Sequence, residues 1–170
     1  FEMLQSQVLK AGNMIDRYDA LVALGSYPYD RKKEILQNVY ERENFYAPRV
    51  EAARQLLAGS TESDSIFIKK MLRDKSSKVR LAAIESLEKI PAGLRSDFEA
   101  LLNDSSYAVV ENALVKLCDE YPENTSKYLA TTTSVIGMGH SVRVRWLELA
   151  CLADKEKYLK LILKGAVFIY

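Results

Sequence analysis

His140, in Gly-Met-Gly-His-Ser at 137–141, is the only histidine among 170 residues. A histidine acting as general base needs a hydroxyl or thiol nucleophile beside it. No serine or cysteine stands at such a motif spacing, so a turn or capping role is expected for His140. The glycines at 137 and 139 resemble a phosphate-cradling loop only superficially, because the closing Gly-Lys-Ser/Thr is missing. Asp16/Asp19 and Glu85/Glu88 are carboxylates three residues apart. On a helix such pairs could share acid–base work, but at that spacing they are more often a solvated face, and they are read as one here. A catalytic zinc takes about three protein ligands, two of them usually histidine. Cys118 and Cys151 fall at apolar helical positions and fit no zinc spacing, so they are read as structural thiols. The sequence therefore assigns no catalytic, cofactor-binding or metal residue, and the chain alone is not expected to be an enzyme.

One residue type is harder to dismiss. In Lys-Val-Arg-Leu-Ala-Ala-Ile-Glu-Ser-Leu at 78–87, Arg80 heads a run whose Ala83, Ile84 and Leu87 share one helical face. A cation near a helix N-terminus opposes the helix dipole. The frame returns with Arg17 (Ala20, Leu21, Leu24), Arg49 (Ala52, Ala53, Leu56) and Arg143 (Trp146, Leu147, Ala150). A further copy keeps Ala113, Leu114 and Leu117 but has Val110 in place of the arginine. The intervals between these anchors are 32, 31, 30 and 33 residues.

The frame predicts anchor helices near 14–26, 46–58, 77–90, 107–120 and 141–153. Amphipathic leading segments precede them at about 2–11, 31–43, 62–73, 94–103 and 124–136, and a last one, 155–164, has no partner. Turn signals at 25–30, 58–64, 90–93 and 121–125 separate the pairs. Asn13, Asn44, Ser76, Ser106 and Ser141 stand where a side-chain oxygen can cap an anchor helix. Thr131–Gly137 favours strand but is read as a frayed helix end and turn. Helix pairs at this period must stack to bury their apolar faces. The expected fold is one all-α domain over 1–170, a right-handed α-α superhelix of about five helical pairs plus a terminal helix.

Glu43, Asp74 and Asp104 each precede an anchor position by six residues. Arginine is seldom buried unpaired. Arg17, Arg49, Arg80 and Arg143 are therefore expected to form a structural ladder with these acids and with turn carbonyls of the same or the adjoining pair. Charge-assisted bonds of about 1.5–3 kcal/mol outweigh a dipole cost of at most about 1 kcal/mol. Positions two and five after each anchor give Asp19, Glu51, Arg54, Glu85, Asn112, Arg145 and Glu148 as the expected concave contact face. Tyr27, Tyr29, Tyr46, Tyr107 and Tyr121 lie near turns, where partner contacts are one use for them.

The net charge of +1 and the mixed signs of that face argue against nucleic acid, including the basic concave face of helical-repeat DNA glycosylases. No apolar run approaches the length that spans a bilayer. At 48% hydrophobic and 28% charged residues, the chain has the composition of a globular domain. It opens on Phe-Glu-Met-Leu, as expected of a segment of a longer protein, so its compartment is not read from it.

The acidic residue, capping residue and Val-Arg-x-x-Ala-x-x-x-Leu order resembles HEAT repeats, best in 72–87. The Asp16–Leu24 block and the Phe-Tyr-x-x-Arg-x-x-Ala-Ala segment of Phe45–Ala53 also resemble the HEAT-like C-terminal region of bacterial aminopeptidase N-type zinc metallopeptidases. That resemblance implies a non-catalytic accessory domain that covers and scaffolds the peptide cleft of an upstream catalytic domain. Zinc is then expected only in that missing domain, whose His-Glu-x-x-His motif maps to nothing here. It implies a bacterial envelope, periplasmic or cytoplasmic setting. The alternative is a free-standing HEAT-like scaffold binding a protein or peptide partner on its concave face.

Overall fold

A computed structural model describes residues 1–58 and 65–163, with side chains as far as Lys160. Every described element is helical, and the α-α solenoid class read from the repeat is the one observed. The turn at 58–64, the start of the leading segment at 62–64, Ile162 and Lys164 lie at least in part outside this description.

Two compact units divide the chain, Phe1–Glu88 and Lys89–Tyr170. The first contains α1 (Glu2–Lys10), α2 (Met14–Leu24), α3 (Tyr29–Arg42), α4 (Tyr46–Ala58), α5 (Ser65–Leu72) and α6 (Ser77–Ser86). Here α2, α4 and α6 lie side by side, and each is backed by the helix before it. The anchor frame explains the layering. Ala20, Leu21, Leu24, Ala52, Ala53, Leu56, Ala83, Ile84 and Leu87 are all buried, and the alanines let neighbouring helices approach closely. Pro48 is tolerated in the first turn of α4, where its missing N–H costs no helical bond.

Helix α2 stops at Leu24, short of the expected 26, because Pro28 pushes the residue before it out of helical geometry and then itself opens α3. Helix α6 stops at Ser86 rather than 90, since Leu87 is extended (φ −83°, ψ 125°). Leu87 and Ile90 nonetheless bury their side chains beyond it. Ile66, expected on the apolar face of α5, is 87% exposed, and Met3 on α1 is exposed as well.

The second unit contains α7 (Arg95–Ala100), α8 (Tyr107–Glu120), α9 (Thr125–Thr132), α10 (Ser141–Ala153) and α11 (Lys155–Leu163). Single 3-10 turns flank α7 and precede α9 and α10. Helix α8 packs on α10, and α9 touches both. Phe98 and Tyr128 are fully buried, and Ile90 N–H donates to both oxygens of Glu120 at 2.8 Å. The leading segment 124–136 shortens to Thr132. Hydroxyls of Thr131, Thr132 and Thr133 bond back to carbonyls four residues earlier, which weakens the helix end. Trp146 replaces the usual small residue. It meets Tyr158 of α11 edge to face at 5.7 Å and donates to Leu129 O at 2.8 Å, while Leu147, expected in the core, is only half-buried.

Gly137 has φ 82°, and a Cβ there would lie 2.8 Å from Val142. Only glycine suits that turn. His140 takes the left-handed conformation (φ 63°) at the N-cap of α10, a turn position. The serines do not cap as expected: Ser76 and Ser106 make no side-chain cap bond, and Ser141 is already inside α10. Carboxylates of Glu43, Asp74 and Asp104 accept from amides at these helix starts instead.

Candidate partner-binding groove

The anchor arginines reach carboxylates and carbonyls at the turns. Arg17 Nε meets Glu43 Oε2 at 2.7 Å, and its Nη1 donates to Ala11 O at 2.9 Å. Arg49 pairs with Asp74 through Nη2, both side chains being buried, and its Nε donates to Tyr40 O at 3.3 Å. The Tyr40 hydroxyl donates to the same Asp74 oxygen at 3.0 Å. Arg80 Nη1 donates to Asp74 O at 2.7 Å. Arg143 Nη2 donates to Thr133 O at 2.5 Å and the guanidinium lies 5.6 Å from the Trp146 ring. Its Nε and Nη1 are buried without a hydrogen-bond partner.

Each acid has a second task. Glu43 Oε1 accepts from the backbone amides of Asn44 (2.8 Å) and Phe45 (3.2 Å), Asp74 Oδ1 from Ser76 N–H (2.8 Å), and Asp104 Oδ1 from Ser106 N–H (2.7 Å). Only at α2 does the predicted side chain cap its own helix, Asn13 Oδ1 accepting from Asp16 N–H at 2.8 Å.

Burial pushes the Glu43 carboxyl up, but the Arg17 bond and the amides of Phe45 and Asn44 outweigh it, so the group titrates below its ordinary 4.5. A carboxylate depressed in the folded state stabilises fully above its unfolded value, and the stabilisation is lost as pH falls through the folded value. The Arg17–Glu43 contribution is therefore expected to be constant from pH 7 down to about 5 and to decline below 4.5. Urea midpoints at pH 7 and pH 3 check this. The gap between the native chain and Glu43→Gln should narrow at pH 3, and an equal gap at both pH values contradicts it.

Of the face positions, Asp19, Arg54, Glu85, Arg145 and Glu148 are exposed, whereas Glu51 and Asn112 are half-buried. Arg54 and Glu85 approach to 3.8 Å and Arg145 and Glu148 to 2.6 Å. Glu51 accepts from Gln55 Nε2 at 2.8 Å, and Asn112 Nδ2 donates to Ala108 O at 2.9 Å. Asp19, Glu51, Arg54 and Glu85 belong to the first unit, and Asn112, Arg145 and Glu148 to the second.

Of these, Arg54 and Glu85 line a concavity. A groove of about 390 Å3 crosses α2, α4 and α6, with Tyr18, Tyr46, Ala47, Val50, Lys78 and Leu81 as its other walls. Tyr18, Val50 and Leu81 stand one residue after their anchor arginines, a register absent from the sequence-based face. At about 100° per residue, positions one and five after the anchor and two before it lie within roughly 60° of one another, opposite the core stripe. The signal was an apolar side chain at that first position in three successive repeats. Tyr46 is 57% exposed, and the floor of Ala47, Val50 and Leu81 is half-open to solvent.

Cys118 and Cys151 are free, and burial pushes the Cys118 thiol up to about 11, away from reactivity. Among the described residues no cluster of histidine, cysteine, aspartate and glutamate could hold a metal, and no helix is long and apolar enough to cross a membrane.

The HEAT repeat family model matches residues 67–90, the stretch that holds most of α5, all of α6, Asp74 and Arg80. No curated protein and no solved structure matches the chain. Residues 67–90 therefore carry a HEAT-like repeat within a helical solenoid.

Proposed function

We propose that the chain is an interaction scaffold whose first unit receives a protein or peptide segment in the groove across α2, α4 and α6. One observation carries this reading: Tyr18, Tyr46, Val50 and Leu81 leave apolar surface in a concavity on the side of the anchor helices away from their core. A residue that packs nothing internally gains most by covering such surface on association. Tyrosines at the margin supply rigid amphipathic contacts. The match to the HEAT repeat adds support, because such repeats generally serve protein interaction.

The test is selection of binders from a displayed random-peptide library against the intact chain, followed by fluorescence polarisation. Val50→Glu places a charge on the groove floor without entering the core. It is expected to weaken selected peptides at least about tenfold, equivalent to 1.4 kcal/mol, with the helical circular dichroism retained. Binders indifferent to Val50→Glu would sink the reading.

A second reading is favoured by the Asp16–Leu24 and Phe45–Ala53 blocks alone. In it, the chain is the helical accessory domain of a zinc aminopeptidase, packed on an upstream catalytic domain. The comparisons add nothing to that resemblance. A His-Glu-x-x-His helix encoded before Phe1 would support it, and a short open reading frame beginning near Met3 would remove it.

A further inference from the structure

The charges around the groove narrow the class of partner, an inference that rests on the groove being a docking site. Three charged side chains line it: Arg54, Lys78 and Glu85. Arg54 and Glu85 face each other at 3.8 Å and largely cancel. Lys78 is exposed and has no carboxylate within salt-bridge distance among the described residues. Asp19 and Glu51, on the same helices, do not line the concavity, and Glu51 is engaged by Gln55. The lining therefore carries one uncancelled positive charge, at the end where α4 and α6 begin.

The spacing is also informative. Lys78 precedes Leu81 by three residues, a rise of about 4.5 Å along α6. An extended peptide advances about 3.3 Å per residue. Successive side chains of an extended segment point to opposite faces, so when one is seated on Val50 and Leu81 it is the side chain two residues along, about 6.6 Å away, that faces the groove again and comes within reach of the long Lys78 side chain. The Arg54–Glu85 pair lies four residues further along α6 and bounds the other end.

We infer that the groove selects an extended segment of a partner protein in which an aspartate or glutamate stands two residues from a large aliphatic or aromatic residue. The apolar side chain fills the space between Tyr18, Tyr46, Val50 and Leu81, and the carboxylate meets the Lys78 ammonium. Acidic segments without the apolar residue, and basic ones with it, are discriminated against.

Two blocked peptides, Asp-Ser-Leu-Ser-Asp and Lys-Ser-Leu-Ser-Lys, test this by amide chemical-shift titration of the intact chain. Their symmetric design makes the peptide's direction immaterial. The acidic peptide is expected to perturb α2, α4 and α6 and to bind at least about fivefold tighter than the basic one. Lys78→Glu is expected to invert that order, and an Asp-Ser-Ala-Ser-Asp analogue to lose binding to the native chain. If Val50→Glu abolishes binding of both peptides while Lys78→Glu leaves their ratio unchanged, the groove is a docking site and the acidic preference is wrong. If neither peptide perturbs the groove helices, both the preference and the docking reading fail.

Discussion

Asp74→Ala is expected to destabilise the chain by about 3–5 kcal/mol, because it strands the buried Arg49 guanidinium without its counter-charge. Both side chains of the pair are nearly inaccessible, at 9% and 4% exposure, so solvent cannot replace the lost partner. The same change removes the acceptor of the Tyr40 hydroxyl and of Ser76 N–H. Urea unfolding should show a lower midpoint with an unchanged slope. The companion Arg49→Met/Asp74→Leu double variant should recover most of the loss, since apolar pairs of similar volume often replace buried ion pairs at little cost. A loss below about 1 kcal/mol for Asp74→Ala, the range of exposed pairs, would show that this rung holds nothing together.

The opposite experiment restores the repeat consensus where the chain lacks it. Val110→Arg is expected to cost about 3–5 kcal/mol, the penalty of an uncompensated buried charge. Val110 is 1% exposed. Arg17 finds its acid 26 residues on and Arg49 finds its acid 25 residues on. From position 110 the same steps lead to Ile136 and Val135, which offer no carboxylate. Val110→Met separates the effect of length from that of charge and should cost far less. Equal stability of the two variants would overturn the account.

The burial pattern was written into the sequence most clearly where the anchor helices are ordinary. Residues three, four and seven after Arg17, Arg49 and Arg80 are buried because a helix turns a fixed angle per residue. The frame slips at α10. There Trp146 turns toward Tyr158, and Val142, Leu149 and Ala150 share the core while Leu147 moves to its margin. No local periodicity encodes the presence of a following helix on that side. Helix capping was legible only in kind. The sequence marks polar residues at each helix start, but at α6 the bond made is a local turn in which Asp74 accepts from the Ser76 N–H two residues on, while the Ser76 hydroxyl makes no cap bond.

The groove was half-legible for a related reason. Counting polar residues opposite the core finds Arg54 and Glu85 but passes over Tyr18, Val50 and Leu81. An apolar residue off the stripe reads as noise until neighbouring helices bring three of them to one concavity. Ala82 shows the converse. It occupies the position that Asp19 and Glu51 hold in their repeats, yet it is 1% exposed.

Asp74 holds Arg49 of the preceding hairpin with one oxygen and the Ser76 amide with the other, and Glu43 holds Arg17 with both oxygens while one of them also accepts from the amides of Asn44 and Phe45. Loosening the start of α4 therefore also frees Arg17, and loosening the start of α6 frees Arg49. Within the first unit, hairpins so joined melt as a chain of nearest-neighbour couplings rather than peeling away singly. Cooperativity in this part of the molecule is carried by two carboxylates as well as by its apolar interior.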